Sequence, residues 1–182
     1  MPTLLDKLAE GDLRTLGRSA EVAADVLARP ELIDELFDGI AVDDAAVRAR
    51  AIDALERVAA RQPELLQPYK RELLTRVALI EHWTVREHVC QLLPRLGKLT
   101  ARERRAALRL VRGYLQDKSS IVKACALECL VRLSAAPGFA AQRAQAAILV
   151  DHCAARGNTA ALRARARRMQ RHLAKLARGA SA

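Results

Sequence analysis

A ten-residue pattern that occurs four times decides the fold of this chain: AVRARAIDAL at 46–55, TVREHVCQLL at 84–93, IVKACALECL at 121–130 and ALRARARRMQ at 161–170. The four copies align without gaps. Their third residues are basic and stand 38, 37 and 40 positions apart: Arg48, Arg86, Lys123 and Arg163. Self-similarity at such a period is typical of proteins built from stacked helical repeats.

Each copy carries small or apolar residues at helical spacing, so that they share one face of a helix. The positions one before, three after and six after the basic residue are predicted to face the core: Val47, Ala51, Ala54, Val85, Val89, Leu92, Val122, Ala126, Cys129, Leu162, Ala166 and Met169. Helix start signals stand between the copies, at Pro30, at Pro63 and in the capping box of Thr100 and Glu103. The sequence therefore predicts units of helix, turn and helix.

Length and composition agree with this architecture. A chain of 182 residues suits one domain. Aromatic residues make up only 3% of it, so the interior must be built from Ala, Leu and Val, and this composition favours helices over strands. We predict an all-α domain over residues 1–182. Its expected parts are an N-terminal cap at 1–29 and units at 30–61, 62–97, 99–135 and 138–178.

The repeated pattern resembles the HEAT-repeat family, whose units carry an Asp-containing turn and a Val-Arg or Val-Lys pair that opens the second helix. Asp44 ahead of the first copy and Asp117 ahead of the third match, whereas the turns ahead of the other two copies hold no aspartate. Pro68 is expected to kink the first helix of its unit, as in the family. The resemblance spans roughly residues 13–177 and implies a right-handed, armadillo-like α-solenoid of about four hairpins.

Charge is distributed unevenly along the chain, whose net charge is +10. Residues 1–91 hold 12 basic and 17 acidic residues, whereas residues 92–182 hold 19 basic and only 4 acidic ones. Because a strongly basic half attracts anions, the candidate partners are acidic protein surfaces, phosphate groups and anionic lipids.

Arginines recur at fixed positions of the repeated pattern, nine residues and two residues after the basic one. If the units stack in register, these side chains form a basic ladder along the second helices, which usually line the concave face in this family. Guanidinium groups bind carboxylates and phosphates well. The residues predicted to bind a partner are Arg50, Arg57, Arg95, Arg132 and Arg165 at these positions, together with Arg168 of the arginine-rich last helix. The alternative is that each arginine covers the edge of the core with its aliphatic stem and keeps its charge in water.

We expect a non-catalytic scaffold that binds an acidic partner protein. The alternative is a nucleic-acid binder, because the last helix is rich in arginine and no acidic residue follows Asp151. No aromatic residues stand among these basic residues to stack on bases. No segment approaches the roughly 18 apolar residues needed to cross a bilayer, so membrane insertion is not expected.

Trp83 and Glu87 partly resemble the site of HEAT-like alkylpurine DNA glycosylases, which use a Trp and a carboxylate on one helical turn. The two residues stand four apart, so they share one side of a helix start. The carboxylate here is Glu where that family uses Asp, and the chain has no second Trp. Packing between repeats for Trp83 and a helix-dipole role for Glu87 are the structural alternatives.

The four cysteines lie within apolar helical patterns at positions 90, 125, 129 and 153, and we expect reduced thiols in or near the core. Cys125 and Cys129 on one helix make a poor zinc site without a second paired motif. Motifs for nucleophilic or phosphate-loop chemistry are absent, so no cofactor and no catalytic residue are predicted. A cytoplasmic protein is expected, and its oligomeric state is left open.

Overall fold

The computed structural model describes residues 3–11 and 15–179, and every regular element in them is a helix. The all-α prediction is confirmed. The chain divides into two compact units, an N-terminal unit over Met1–Lys98 and a C-terminal unit over Leu99–Ala182. The predicted N-terminal cap at 1–29 includes positions 1, 2 and 12–14, which lie outside the described residues.

The N-terminal unit contains six α-helices: α1 Leu4–Ala9, α2 Ser19–Ala28, α3 Ile33–Ala41, α4 Ala45–Arg61, α5 Lys70–Leu74 and α6 Trp83–Leu92. Short 3-10 helices run over Pro30–Leu32, Pro63–Leu66, Val77–Leu79 and Leu93–Arg95. Helix α4 is central, because α1, α2, α3 and α6 all pack against it. Its side chains from Ala51 to Leu55 are consequently all buried.

Proline residues set several helix boundaries of this unit. Pro68 falls between the 3-10 helix that Pro63 begins and the short helix α5, so the kink expected there is a full interruption of the first helix. Pro94 lies within the 3-10 helix Leu93–Arg95, directly after α6 ends at Leu92. A proline has no backbone N–H to give to the helical ladder, which explains both interruptions.

The C-terminal unit contains four helices: α7 Ala101–Tyr114, α8 Ser120–Ser134, α9 Ala140–Arg156 and α10 Ala160–Gly179. Thr100 and Glu103 form the predicted capping box, in which each side chain accepts a hydrogen bond from the other residue's backbone N–H. Helix α8 packs against α7, α9 and α10. It is therefore the central helix of its unit, and residues on all its sides are buried.

The repeated pattern falls on α4, α6, α8 and α10, where only Leu93 of the second copy extends past its helix. All twelve positions predicted to face the core are buried, with exposed fractions between 0% and 7%. Among the cysteines, Cys90, Cys125 and Cys129 are buried and Cys153 is half-buried, all four as free thiols. The prediction of core or near-core thiols is confirmed.

Candidate anion-binding surfaces

The six arginines predicted to bind a partner lie in very different surroundings. Arg50, Arg57 and Arg95 belong to the N-terminal unit, whereas Arg132, Arg165 and Arg168 belong to the C-terminal unit. Each of the six guanidinium groups has a protein oxygen as its partner. The binding capacity of each arginine therefore depends on its exposure and on the hydrogen-bond donors that its protein partner leaves unused.

Arg50 differs most from the expected surface position, since only 1% of the residue is exposed. Its guanidinium donates hydrogen bonds to the carbonyl oxygens of Leu8 at 2.8 Å, Glu10 at 3.0 Å and Thr15 at 3.3 Å. These three carbonyls belong to α1 and the segment between α1 and α2. Arg50 thus fixes this segment to α4, and its burial corrects the expectation that it faces a partner.

Gly17 lies directly against the Arg50 guanidinium. Its φ of +50° is in the left-handed region, and an added Cβ would stand 3.0 Å from Arg50 Nε and 3.0 Å from the Glu10 carbonyl oxygen. Glycine is required here both for the backbone conformation and for the close approach. Glu10, Thr15 and Gly17 therefore lie closely around the Arg50 guanidinium.

Arg57 joins a polar network inside the N-terminal unit, which we call the Asp53 network: Ser19, Asp53, Arg57 and His88. The Asp53 carboxylate, 7% exposed, accepts hydrogen bonds from Ser19 Oγ at 2.6 Å and from Arg57 Nε at 2.7 Å. His88 Nε2 stands 3.5 Å from Asp53 Oδ1. The network joins α2, α4 and α6, so it holds three helices together.

Both nitrogens of the His88 ring face an acceptor, because Nδ1 lies 2.8 Å from the Thr84 carbonyl oxygen while Nε2 faces Asp53. Only the doubly protonated ring can donate at both positions. Burial lowers the pKa of His88, but Asp53 and the Thr84 carbonyl raise it more, so the net shift is upward. Burial likewise opposes ionisation of Asp53, yet His88, Arg57 and Ser19 lower its pKa to about 2.

The order of groups in the Asp53 network excludes one kind of chemistry. The carboxylate stands between the hydroxyl of Ser19 and the imidazole of His88, and it is the carboxylate that accepts the hydrogen bond from Ser19 Oγ. A nucleophilic serine needs the imidazole, not the carboxylate, as its hydrogen-bond partner. The network is therefore built for helix packing.

Arg95 is paired with α4 in the same unit. Its guanidinium lies 2.5 Å from a carboxylate oxygen of Glu56 and donates to the Glu56 carbonyl oxygen at 3.1 Å. Its side chain is 32% exposed. Like Arg57, it offers a ligand only the donors that its own carboxylate leaves unused.

In the C-terminal unit, three of the predicted arginines come together around one carboxylate. Arg132 donates to Glu128 from four residues further along α8, and Arg165 and Arg168 reach the same carboxylate from α10. We call this group the Glu128 cluster. Its formal charge is +2, and Arg132 and Arg168 are about half exposed while Glu128 is only 13% exposed. The cluster can therefore present cationic donors to an anion.

The Glu128 carboxylate is the group that holds this cluster together. Burial raises its pKa, but hydrogen bonds from Arg132 and Arg165 outweigh burial and keep the pKa below its usual value. Replacing Glu128 with glutamine leaves three guanidiniums without their counter-charge. We expect Glu128→Gln to destabilise the C-terminal unit by about 1–2 kcal/mol, measured by urea unfolding, with part of the loss restored by sulfate.

Asp151→Asn is the matched control for this prediction, since it also removes one negative charge from the C-terminal unit. Asp151 is exposed and accepts a hydrogen bond only from Gln170. Its replacement is expected to change stability by less than about 0.5 kcal/mol. Equal effects of the two substitutions, or equal rescue by sulfate, would contradict the role assigned to Glu128.

A second basic surface was missed by the sequence analysis. It consists of four exposed arginines on α7, which we call the α7 row: Arg102, Arg105, Arg109 and Arg112. Steps of three and four residues place them on one side of the helix, away from the buried residues of α7. Within the described part of the chain, none of the four guanidinium groups has a hydrogen-bond or ion-pair partner.

The signal for the α7 row was present in the sequence. The spacing of its members is that of neighbours on a helix face, and the only acidic residue of α7 is Glu103, which serves the helix cap. The repeated pattern was predicted to lie on the second helix of each unit, whereas α7 is the first helix of the unit predicted at 99–135. The row was thus overlooked because it lies outside the repeated pattern.

A groove runs beside the α7 row, with a volume of about 180 Å³. Its floor is apolar and comprises Leu108 of α7, Leu130 of α8, and Ala146 and Leu149 of α9. Its polar lining comprises Arg105, Arg109 and Arg112 together with Gln142 and Gln145. The groove thus combines apolar surface with three unpaired cations.

Trp83 and Glu87, which partly resemble a glycosylase site, lie at the start of α6 in the N-terminal unit. Trp83 is 48% exposed, and its indole stacks near His82 with 6.3 Å between ring centroids. Glu87 is half-buried and accepts a hydrogen bond from Gln91 at 3.4 Å. An exposed indole and a carboxylate thus share the first turns of one helix.

Over residues 3–11 and 15–179, no three His, Cys, Asp or Glu side chains gather closely enough to hold a metal ion. In the same residues, no helix combines the length and the apolar character that crossing a membrane requires. Burial raises the pKa of the Cys153 thiol, which keeps it protonated near neutral pH.

Comparisons with known proteins inform the fold alone. No protein-family model matches the sequence, and no curated protein matches it. The structure is similar to the crystal structure of an engineered protein determined by the Northeast Structural Genomics Consortium, with a TM-score of 0.59 and 17% sequence identity. The similarity covers 94% of this chain and 78% of that chain. The chain is therefore similar in its helical architecture to a known fold.

Proposed function

We propose that this protein is a non-catalytic scaffold that binds an acidic surface of a partner protein through its C-terminal unit. The observation that carries the proposal is the α7 row, whose four exposed guanidiniums have no carboxylate within the described chain. Residues 99–182 hold 17 basic and 4 acidic residues, so little negative charge is available to neutralise it. A surface of arginines without carboxylate partners favours the binding of an anionic partner.

We further propose a HEAT-like α-solenoid as the architecture. Support comes from the repeated pattern, which falls on every second α-helix from α4 to α10 and contributes the same three buried positions in all four copies. The central helices α4 and α8 carry the first and third copies. Arg132, Arg165 and Arg168 form a second basic surface as the Glu128 cluster, whereas Arg50 is left out because it is buried.

An acidic protein suits these surfaces better than a nucleic acid does. The groove beside the α7 row has an apolar floor, which can bury apolar side chains of a protein but offers nothing to a phosphate backbone. No aromatic side chain lines that groove to stack on bases. The exposed cations still make nucleic acid the second candidate, because phosphate binding needs only positive charge.

The test is affinity capture at near-physiological salt from nuclease-treated extract of the source cells. The bait is the full chain, compared with Arg105→Gln/Arg109→Gln/Arg112→Gln. The matched control is Arg167→Gln/Arg171→Gln/Lys175→Gln, which removes three exposed charges of α10. We expect acidic proteins to be retained by the wild type and the control, and lost from the α7 variant.

A parallel titration with a labelled DNA duplex distinguishes the second candidate. The wild type is expected to bind the duplex at low salt and to lose that binding steeply as salt rises. Tight duplex binding at near-physiological salt, together with capture that nuclease abolishes, would replace the proposal with nucleic-acid binding. Base-excision activity that depends on Trp83 and Glu87 would then be the next assay.

A further inference from the structure

We propose that the groove beside the α7 row is the docking site of an acidic amphipathic helix of the partner, which inserts one bulky apolar side chain between carboxylates. This inference rests on the proposed function and specifies the partner's chemistry. It concerns the face formed by α7 and α9 within the C-terminal unit. Two features carry it: the size and lining of the groove, and the spacing of the charges along its rim.

The size of the groove sets what can enter it. A dry cavity of roughly 150 Å³ admits a benzene molecule, so a volume of about 180 Å³ suits one leucine or phenylalanine side chain. Leu108, Leu130 and Ala146 at its floor are at most 8% exposed, so an inserted side chain meets an apolar surface. Binding of protein partners commonly depends on one such buried anchor.

The rim fixes the charge of the occupant. Arg105, Arg109 and Arg112 follow one another at intervals of four and three residues, so they span about two helical turns, or roughly 10 Å. A partner helix laid along α7 repeats its carboxylates with the same pitch when Glu or Asp stands at matching intervals. Charge complementarity along this rim therefore selects a helix with an acidic face.

The opposite wall adds directional donors and acceptors. Gln142 and Gln145 lie on the α9 side, on the same face of that helix as Ala146 and Leu149. Amide side chains can bond polar groups of a docked backbone or side chain without adding charge. The two walls thus differ, with cations on α7 and neutral amides on α9, so the acidic face of the partner must turn toward α7.

The experiment measures fluorescence anisotropy of labelled synthetic peptides with the full-length protein. The principal peptide has about 15 alanine-rich residues, with glutamates spaced to match Arg105, Arg109 and Arg112 and a single leucine between them. One control peptide has that leucine replaced by alanine, and the other has its glutamates replaced by glutamine. We expect the principal peptide to bind about tenfold or more tightly than either control.

Variants of the protein test the same groove from the other side. Ala146→Leu fills the floor and is expected to weaken the principal peptide about tenfold while leaving the alanine peptide unchanged. Because Ala146 is buried, thermal unfolding must show that this variant folds. If it does not, Arg105→Gln/Arg109→Gln/Arg112→Gln, altered only at exposed residues, serves as the second variant, with Arg167→Gln/Arg171→Gln/Lys175→Gln as its control.

Each outcome separates this inference from the proposed function. Equal binding of the leucine and alanine peptides, unaffected by Ala146→Leu, would overturn the docking site while leaving a general acidic partner intact. Equal binding of the acidic and glutamine peptides would overturn the proposed function as well. Binding of dodecanoate at this face without binding of any peptide would assign the groove to a small amphiphile and overturn the inference.

Discussion

Replacing Arg50 with alanine is expected to destabilise the N-terminal unit by about 3–5 kcal/mol. The side chain is buried, and its guanidinium satisfies the carbonyl oxygens of Leu8, Glu10 and Thr15. The substitution removes those donors and also leaves a cavity beneath Gly17. Urea unfolding followed by circular dichroism measures the loss as a lower midpoint at unchanged slope.

Two companion substitutions make this result specific. Arg50→Lys keeps the charge but not the planar fork of donors, so only a minor part of the stability is expected to return. Arg57→Ala removes an i,i+4 ion pair whose arginine is 43% exposed, and its effect is expected to stay below about 1 kcal/mol. A loss at Arg50 as small as that at Arg57 would show that the carbonyls of the α1–α2 segment find other donors.

Replacing Asp53 with alanine is expected to destabilise the same unit by about 3 kcal/mol. The carboxylate is the shared acceptor of Ser19, Arg57 and His88. Its removal leaves the buried Ser19 hydroxyl and His88 Nε2 without their acceptor. Asp53→Asn keeps the size of the side chain but not its charge, and a smaller loss is expected. Urea unfolding at neutral pH measures both variants against the wild type.

The pH dependence of unfolding provides an independent check on the Asp53 network. The pKa of Asp53 is lowered to about 2 by folding, so its contribution of about 2 kcal/mol is present above about pH 4 and lost as the pH falls toward 2. The pKa of His88 is raised by folding, so its contribution is complete below about pH 6.5 and lost as the pH rises through the folded value.

Substitutions of His88 and Asp53 should flatten the pH dependence in different ways. The measurement is the free energy of unfolding across the pH range. His88→Gln is expected to remove the loss of stability on the alkaline side. Asp53→Asn is expected to remove the part of the acid-side loss that Asp53 causes. Without the Asp53 carboxylate, the pKa of His88 loses the largest of the interactions that raise it, so Asp53→Asn is expected to flatten the alkaline slope as well. An alkaline slope that persists in both variants would assign it to another group.

The sequence predicted the positions that local rules determine. Helical spacing located the core residues of the repeated pattern, and capping chemistry located the start of α7. These features depend on neighbours within a few residues, which is why one sequence suffices to find them. The pairing of Arg57 with Asp53 and of Arg132 with Glu128 was also readable as i,i+4 spacing.

The burial of Arg50 and His88 could not be predicted in the same way. Both stand two residues after the basic residue of the pattern, on a side of the helix that the sequence leaves undetermined. Arg50 is covered by the segment between α1 and α2, and His88 contacts Asp53 of α4. Contacts between residues 35 to 42 positions apart decide these environments, and helical periodicity carries no information about them.

The central position of α8 determines how the C-terminal unit loses its structure. Residues on all sides of α8 are buried against α7, α9 and α10, so this helix cannot fray without exposing the whole apolar interior of the unit. Its amide hydrogens can exchange with solvent only when the unit opens as a whole. The outer face of α7 takes no part in that interior, so ligand binding there can be altered by substitution while the cooperativity of unfolding is preserved.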